Sequence, residues 1–109
     1  MENQMLFKET KQQLEVIFIG DIDHQTTLSY RESLVNQIDQ GNYKEIILNF
    51  GKVTFIDSSG IGMVLGRYNQ THQKKIKLYL THLNDATYRL FDLSGILKII
   101  EIKEEMSHG

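Results

Sequence analysis

The residues with the clearest chemical potential are the short polar side chains of Asp57-Ser58-Ser59-Gly60, which stand directly before a helix-patterned segment. Their carboxylate and hydroxyl oxygens can accept hydrogen bonds from the unpaired N–H groups of a first helical turn, so a helix is predicted to begin near Ser58. The Ser58 hydroxyl is then either a helix cap or an acceptor for a phosphoryl group, and spacing alone favours the cap. It does not stand in the Gly-x-Ser-x-Gly elbow of α/β-hydrolases.

The segment after Ser58 carries apolar residues at the three- and four-residue intervals of a helix with one buried face. This helix is predicted to run to about His72, with Arg67 on its exposed side. The residues expected to hold it against the core are Ile61, Val64, Leu65 and Tyr68.

Three glycines interrupt this pattern, at Gly60, Gly62 and Gly66. A glycine in a helix interior costs roughly 1 kcal/mol relative to alanine, so three in one segment call for a reason. At about 100° per residue, Ser58, Gly62 and Asn69 fall near one line along the helix. Gly66 lies to one side of that line. The spacing predicts a strip without side chains, where another backbone can approach closely.

Other kinds of site find little support in the sequence. The glycine spacing differs from a dinucleotide fingerprint in its last interval, which leaves a small nucleotide-binding protein as a weak alternative. The four histidines show no metal-ligand spacing, and there is no cysteine for thiolate ligands, disulfides or a thiol nucleophile. We therefore predict no metal, no cofactor and no enzymatic activity.

The bulk composition is that of an ordinary globular protein. Its 109 residues are predicted to form one domain over 1–109. With 12 basic and 14 acidic residues, the net charge of −2 gives no electrostatic case for nucleic acid. No apolar run approaches the roughly 18 residues that span a bilayer, so we predict no membrane span and expect a cytoplasmic protein.

Strand-like and helix-like segments alternate along most of the chain. Two apolar runs at 5–10 and 14–19 predict an N-terminal hairpin, with Gly20 ending the second strand, and Asp23 is expected to cap a helix over 24–40. The later segments are a strand at 45–50, a link at 51–54, the central helix, a strand at 76–80, a helix between Asn84 and Gly95, and an apolar run at 96–102. This order predicts an α/β fold with a small mixed sheet and parallel crossovers.

Two sets of apolar residues on the flanking helices are expected to face the core. They are Tyr30, Leu34 and Ile38 in the first helix and Leu90, Phe91 and Leu93 in the third.

Three stretches together resemble one protein family. They are 20–24 (Gly-Asp-Ile-Asp-His), 55–68 (which contains Asp-Ser-Ser-Gly and the glycine helix) and 90–96 (Leu-Phe-Asp-Leu-Ser-Gly-Ile). Through them nearly the whole chain resembles the STAS domain family of bacterial anti-sigma factor antagonists, most closely its sporulation members. The resemblance implies a STAS-type fold, with crossover helices mainly on one face of the sheet. Relatives end in an amphipathic helix, whereas 103–109 is too short and polar for a stable one.

The resemblance also implies a phosphorylation switch at Ser58. The partner is then both an anti-sigma factor and a serine kinase; the unphosphorylated antagonist binds it and frees the sigma factor, and a PP2C-type serine phosphatase resets the cycle. An antagonist in a general stress pathway is the alternative within the family. The positions expected to bind the partner are Asp23, Asp57, Ser58, Ser59, Gly60, Gly62, Gly66 and Arg67.

Several of these residues keep a structural alternative. Asp23 is a helix cap or a contact to a basic residue of the partner, and Asp57 is a turn former or a group that positions the Ser58 hydroxyl. Ser59 is a second cap or an alternative phosphoacceptor. Arg67 is a solvated charge or a partner contact. For the switch itself, we expect a phosphate on Ser58 to block a surface without changing the fold.

Overall fold

The computed structural model describes residues 2–103, which form a five-stranded sheet and three α-helices. The strands are β1 (Gln4–Glu9), β2 (Gln13–Ile22), β3 (Glu45–Ile56), β4 (Lys77–Thr81) and β5 (Glu101–Ile102). The helices are α1 (His24–Gln40), α2 (Ser58–Gln73) and α3 (Asp85–Ser94), and a single 3₁₀ turn follows at Ile96–Lys98. The polar segment 103–109, for which no stable helix is expected, lies outside the described residues from position 104 onward.

The strands lie side by side in chain order, from β1 to β5. The pair β1 and β2 is antiparallel, whereas every later pair is parallel. Successive right-handed crossovers between neighbouring parallel strands place their helices on the same side of a sheet. The predicted α/β fold, with its N-terminal hairpin and its helices on one face, is therefore confirmed.

The core lies between that face of the sheet and the helices. Every second residue of β2 is buried, and Tyr30, Leu34 and Ile38 of α1 are buried as predicted. One aromatic chain joins three elements: Phe18 of β2 stacks on Phe50 of β3, and Phe50 meets Phe91 of α3 edge to face, each with ring centroids 5.2 Å apart. These contacts tie α3 to the centre of the sheet.

Two strands are longer than predicted. β2 does not end at Gly20 but continues to Ile22, because Gly20 adopts a φ of +92° inside an irregularity of the β2–β3 pairing. The following N–H, of Asp21, donates to the side chain of Asn3 at 2.8 Å. β3 likewise runs on through the predicted link at 51–54 to Ile56, which pairs with Ile22. Parallel pairing extends both strands to the same edge of the sheet.

The third helix begins and ends where the sequence predicts. Asn84 caps it by accepting from the N–H of Thr87 at 2.8 Å, and Gly95 ends it in a left-handed conformation. Phe91 is buried as expected, but Leu93 is 81% exposed, so its predicted place in the core is wrong. Leu93 is two positions from Phe91, and a helix turns residues with that spacing to opposite sides.

Candidate functional site

The candidate site lies at the edge of the sheet where β2 and β3 both end. The backbone N–H of Asp57 donates to the carbonyl oxygen of Ile22 at 3.1 Å. The two turns that follow β2 and β3 are therefore neighbours. Each strand leads directly into a helix, β2 through Asp23 into α1 and β3 through Asp57 into α2. The parallel pairing therefore brings Asp23, Asp57 and Ser58 to one edge of the molecule.

Asp57 is the cap of α2. Its backbone is extended, and its Oδ1 accepts a hydrogen bond of 2.8 Å from the N–H of Ser59. Ser58, the first residue of the helix, is exposed, while Ser59 is half-buried. Within residues 2–103, no hydrogen bond involves the Ser58 hydroxyl. The hydroxyl therefore faces solvent at a helix N-terminus and is not engaged in capping.

Asp23 is the cap of α1, with reciprocal bonds to Thr26. Its Oδ1 accepts from the N–H of Thr26 at 2.9 Å, and the hydroxyl of Thr26 accepts from the N–H of Asp23 at 2.9 Å. The backbone hydrogen bond from Thr26 lowers the pKa of Asp23 below its usual value, so this carboxylate is charged at neutral pH. On the neighbouring part of β2, the carboxylate of Asp21 accepts a hydrogen bond from the hydroxyl of Thr54 at 3.0 Å. Two capping carboxylates, those of Asp23 and Asp57, therefore lie at the same end of the sheet as Ser58.

The glycines of α2 divide into two groups. A β-carbon added at Gly62 or Gly66 would meet nothing within 4 Å, so these positions form the predicted open strip. A β-carbon added at Gly60 would lie 2.7 Å from the side chain of Ile56 and 3.3 Å from that of Ile22. Gly60 is buried on the side of α2 that faces Ile22 and Ile56, and its missing side chain lets α2 approach the strand ends.

The buried face of α2 differs from the predicted one. Val64 is buried and Ile61 and Tyr68 pack partly against the core, but Leu65 is 36% exposed and lies beside the glycine strip. The residues that α2 does bury are Gly60, Met63, Val64, Arg67 and Thr71. This set also follows helical spacing, but it contains a glycine, a cation and a hydroxyl, so a search for apolar residues does not detect it.

Arg67 is 6% exposed, so the prediction that it lies on the exposed side of the helix is wrong. Its Nε donates to the side chain of Gln70 at 3.0 Å. Gln70 in turn donates to the carbonyl of Val35 at 3.2 Å and to the carboxylate of Asp39 at 3.0 Å, both on α1. Arg67 therefore takes part in a hydrogen-bonded chain that links α2 to α1.

The guanidinium of Arg67 has only part of its hydrogen-bonding capacity used. One terminal nitrogen is buried and has no hydrogen-bond partner within the described chain. Burial, with a smaller contribution from the nearby charge of Arg31, lowers the pKa of Arg67. Because Arg67 is buried between α2 and α1, its guanidinium presents little surface to solvent.

The geometry does not favour a nucleotide or metal site. Gly62 and Gly66 lie inside α2, whereas a phosphate-binding glycine motif needs its glycines in the turn before the helix. Over residues 2–103, no group of three or more acidic or histidine side chains is arranged to hold a metal ion. In the same part of the chain, no helix has the length and hydropathy to cross a membrane.

The chain matches one protein family along most of its length. The family model of the STAS domain matches residues 5–108. The anti-sigma F factor antagonist of Paenibacillus polymyxa is 35% identical over 83 residues, which cover 76% of this chain and 71% of that one. The anti-sigma-B factor antagonist of Listeria monocytogenes is 34% identical over 91 residues, which cover 83% of this chain and 78% of that one.

Solved structures of the anti-sigma factor antagonist SpoIIAA share the fold. The unphosphorylated form superimposes with a TM-score of 0.83 at 25% identity, covering 95% of this chain and 90% of that one. The phosphorylated form, from Bacillus, gives a TM-score of 0.76 at 25% identity and covers 95% and 93% of the two chains.

Proposed function

The chain belongs to the STAS domain family, and from this premise we propose that it is an anti-sigma factor antagonist controlled by phosphorylation of Ser58. The observation that carries the proposal is the position of the Ser58 hydroxyl, exposed and not engaged in capping, at the start of a helix that presents an open glycine strip. Relatives named as anti-sigma factor antagonists support it. The protein is then a non-enzymatic binding partner that acts in the cytoplasm.

In the proposed cycle the partner is an anti-sigma factor that is also a serine kinase. The unphosphorylated antagonist binds this partner and so releases the sigma factor. The kinase then transfers the γ-phosphoryl group of ATP to the Ser58 oxygen; the hydroxyl proton passes to the kinase and ADP leaves. A PP2C-type serine phosphatase hydrolyses the phosphoserine with water and restores the binding form.

The local electrostatics explain why one phosphate is sufficient to act as a switch. It would add about −1.5 to −2 charge next to Asp57, at an edge that already carries the capping carboxylate of Asp23. The helix N-terminus tolerates this charge, because its dipole and unpaired N–H groups favour an anion. A docked partner would meet both the added bulk and the repulsion. Phosphorylation is therefore proposed to block the partner-binding surface while the fold stays the same.

The modified hydroxyl is proposed to be that of Ser58 and not that of Ser59. Ser58 is exposed, whereas Ser59 is half-buried and its N–H is bound by the carboxylate of Asp57. A kinase must bring the acceptor oxygen in line with the γ-phosphate, which requires free access to that oxygen. Of the two serines, Ser58 provides this access.

The partner-binding surface is proposed to combine charge, an open backbone and one apolar side chain. The carboxylates of Asp23 and Asp57 would face basic groups of the partner, while Gly62 and Gly66 allow its chain to approach α2 closely. Leu65, exposed beside the strip, would supply an apolar contact. Arg67 and Gly60 are proposed to act indirectly, by fixing the position of α2 against the rest of the protein.

The test is to incubate the protein with its anti-sigma kinase and ATP and to locate the phosphate by mass spectrometry. We expect one phosphate, on Ser58, no labelling of Ser58→Ala, and normal labelling of Ser59→Ala. Amide chemical shifts should change near the start of α2 only. Full labelling of Ser58→Ala, or shift changes throughout the sheet, would contradict the proposal.

Two pathways are compatible with this function. We propose a sporulation partner, but a general-stress partner is a second candidate, because relatives named for sigma F and for sigma-B are almost equally similar, at 35% and 34% identity. The two are separated by offering the protein the sporulation kinase and the stress kinase of its host in parallel. The partner that phosphorylates Ser58 faster identifies the pathway.

A further inference from the structure

A groove of about 540 Å³ lies at the end of α2 that is far from Ser58. It is bounded by the last turns of α2, by β4 and by the segment that leads into β5. Sites for small molecules usually have volumes of about 300–1,000 Å³, so this groove is large enough for one. None of its lining residues belongs to the surface proposed to bind the anti-sigma factor.

The walls of the groove are mainly apolar. Branched side chains come from Ile76, Leu78 and Ile99, and the ring of Tyr68 stacks against that of His72 with centroids 5.5 Å apart. Ile99 is 48% exposed, so part of this apolar surface faces solvent. Burying it against an apolar ligand would be favourable.

The groove also carries charged side chains. Lys75 and Lys77 line it together with a single carboxylate, that of Glu101. Within the described residues neither lysine forms an ion pair, whereas Lys103 is bound to Glu45 at 2.8 Å. The resulting surplus of one positive charge favours a monoanion over a dianion.

The hydroxyl of Thr71, which also lines the groove, is already engaged. It donates to the carbonyl oxygens of Arg67 and Tyr68 at 2.8 and 3.1 Å. The hydroxyls of Tyr68 and Tyr79 and the imidazole of His72 also line the groove, and the two ammonium groups supply its formal positive charge. A ligand with many hydroxyl groups would leave them without partners along the aliphatic walls.

From these features we propose that the groove binds a medium-chain acyl carboxylate, with its chain against Ile76, Leu78 and Ile99 and its carboxylate between Lys75 and Lys77. The aliphatic walls match the chain, and the surplus charge matches a single negative head group. The groove begins at Tyr68, about 15 Å along α2 from Ser58 at 1.5 Å per residue. Ligand and anti-sigma factor can therefore bind at the same time, and the proposal does not depend on the switch.

The test is a titration of the isotope-labelled protein with decanoate below its micelle concentration, followed by amide chemical shifts. We expect saturable changes confined to the groove, with a dissociation constant below about 1 mM. Decylammonium and decanol, which carry the same chain with a positive or no charge, should bind at least about fivefold more weakly. Ser58→Glu should bind decanoate as the unsubstituted protein does.

The double variant Lys75→Gln/Lys77→Gln should weaken decanoate binding about fivefold, while Lys52→Gln, an exposed lysine on β3, should not. Ile99→Asp, at an exposed position that leaves the core intact, should also weaken binding. The proposal is overturned if decanoate causes no saturable change, if the changes lie outside the groove, or if decylammonium binds equally well. It also fails if the double variant binds decanoate unchanged.

Discussion

The carboxylate of Asp57 accepts a hydrogen bond of 2.8 Å from the backbone N–H of Ser59, the second residue of α2. The residue that caps the helix is therefore the neighbour of the serine proposed to be modified, and not that serine itself. A phosphoryl group can be added to the Ser58 oxygen without the loss of a capping bond. In the proposed function, holding the helix and regulating the surface are therefore separate tasks of adjacent residues.

This separation predicts different stabilities for two substitutions. Asp57→Ala should lower the free energy of unfolding by about 1 kcal/mol, because an N-terminal N–H loses its acceptor. Ser58→Ala should change it by less than about 0.5 kcal/mol, because an exposed hydroxyl is removed. Urea denaturation followed by circular dichroism measures both. Asp57→Asn, which can still cap, is the control and should lie close to the unsubstituted protein.

Helix ends were predictable because they depend on local chemistry. Asp23 and Asn84 each stand where a side-chain oxygen can reach the N–H three residues later, and both do so in the structure. Gly95 ends α3 in a left-handed conformation that glycine adopts without steric cost. These signals lie within a few residues of sequence and do not depend on what the helix packs against.

Burial within α2 was not predictable from the same kind of signal. The helix packs on the sheet and on α1 together, so its buried face is centred on Met63 and Arg67 and not on Ile61 and Leu65. A pattern search treats arginine as exposed and leucine as buried. Here the long arginine side chain fills space between two helices, and Leu65 faces solvent. Only the tertiary arrangement decides this.

The acidic cap of α1 gives a second prediction, about binding. Asp23→Asn keeps a side-chain oxygen for the N–H of Thr26 but removes the negative charge. Thermal stability should therefore change little, while affinity for the anti-sigma factor falls about fivefold or more. Calorimetry and surface plasmon resonance report the two quantities. Equal affinities would show that Asp23 is only a helix cap.

The incomplete bonding of Arg67 gives a third prediction. Arg67→Met should change the free energy of unfolding by no more than about 1 kcal/mol, because a chain of similar length fills the space and no buried nitrogen is left unpaired. Arg67→Ala should cost about 2–4 kcal/mol through the cavity it opens. Chemical denaturation of both variants provides the comparison.

The same pair of variants tests how Arg67 acts on the partner. If it acts from beneath by holding α2, Arg67→Met should bind the anti-sigma factor nearly as well as the unsubstituted protein. If both variants instead lose affinity equally, the guanidinium must contact the partner directly. Its burial alone would then not explain its role.

Glu45 gives a fourth prediction, for the dependence of stability on pH. The hydrogen bond from Lys103, at 2.8 Å, is the main reason that the pKa of Glu45 lies below its ordinary value of 4.5; a bond from Gln13 adds to it. Because the pKa of Glu45 is lower in the folded state, its ionised carboxylate stabilises the fold above about pH 4.5. This stabilisation is lost as the pH falls through the folded-state pKa. The pair is partly exposed, so the contribution should be about 0.5 kcal/mol.

The measurement compares Glu45→Gln with the unsubstituted protein in urea at about pH 6 and about pH 3. The variant should be less stable at the higher pH, and the difference should nearly vanish at the lower one. Glu32→Gln, an exposed residue of α1 without an ion pair in the described chain, is the matched control and should show no such convergence. A difference that is independent of pH would contradict the role of this ion pair.

The glycines of α2 give the last prediction, in which one substitution has opposite effects at neighbouring positions. A β-carbon at Gly62 or Gly66 meets open space, so Gly62→Ala and Gly66→Ala should each stabilise the protein by up to about 1 kcal/mol. Gly60→Ala places its β-carbon 2.7 Å from the side chain of Ile56 and should destabilise the protein by about 1–3 kcal/mol.

Although more stable, the Gly62 and Gly66 variants should bind the anti-sigma factor at least about tenfold more weakly, because their methyl groups occupy the space into which the partner must fit. Denaturation and binding measured on the same three proteins decide this: if Gly62→Ala and Gly66→Ala keep full affinity, the strip is not the docking surface.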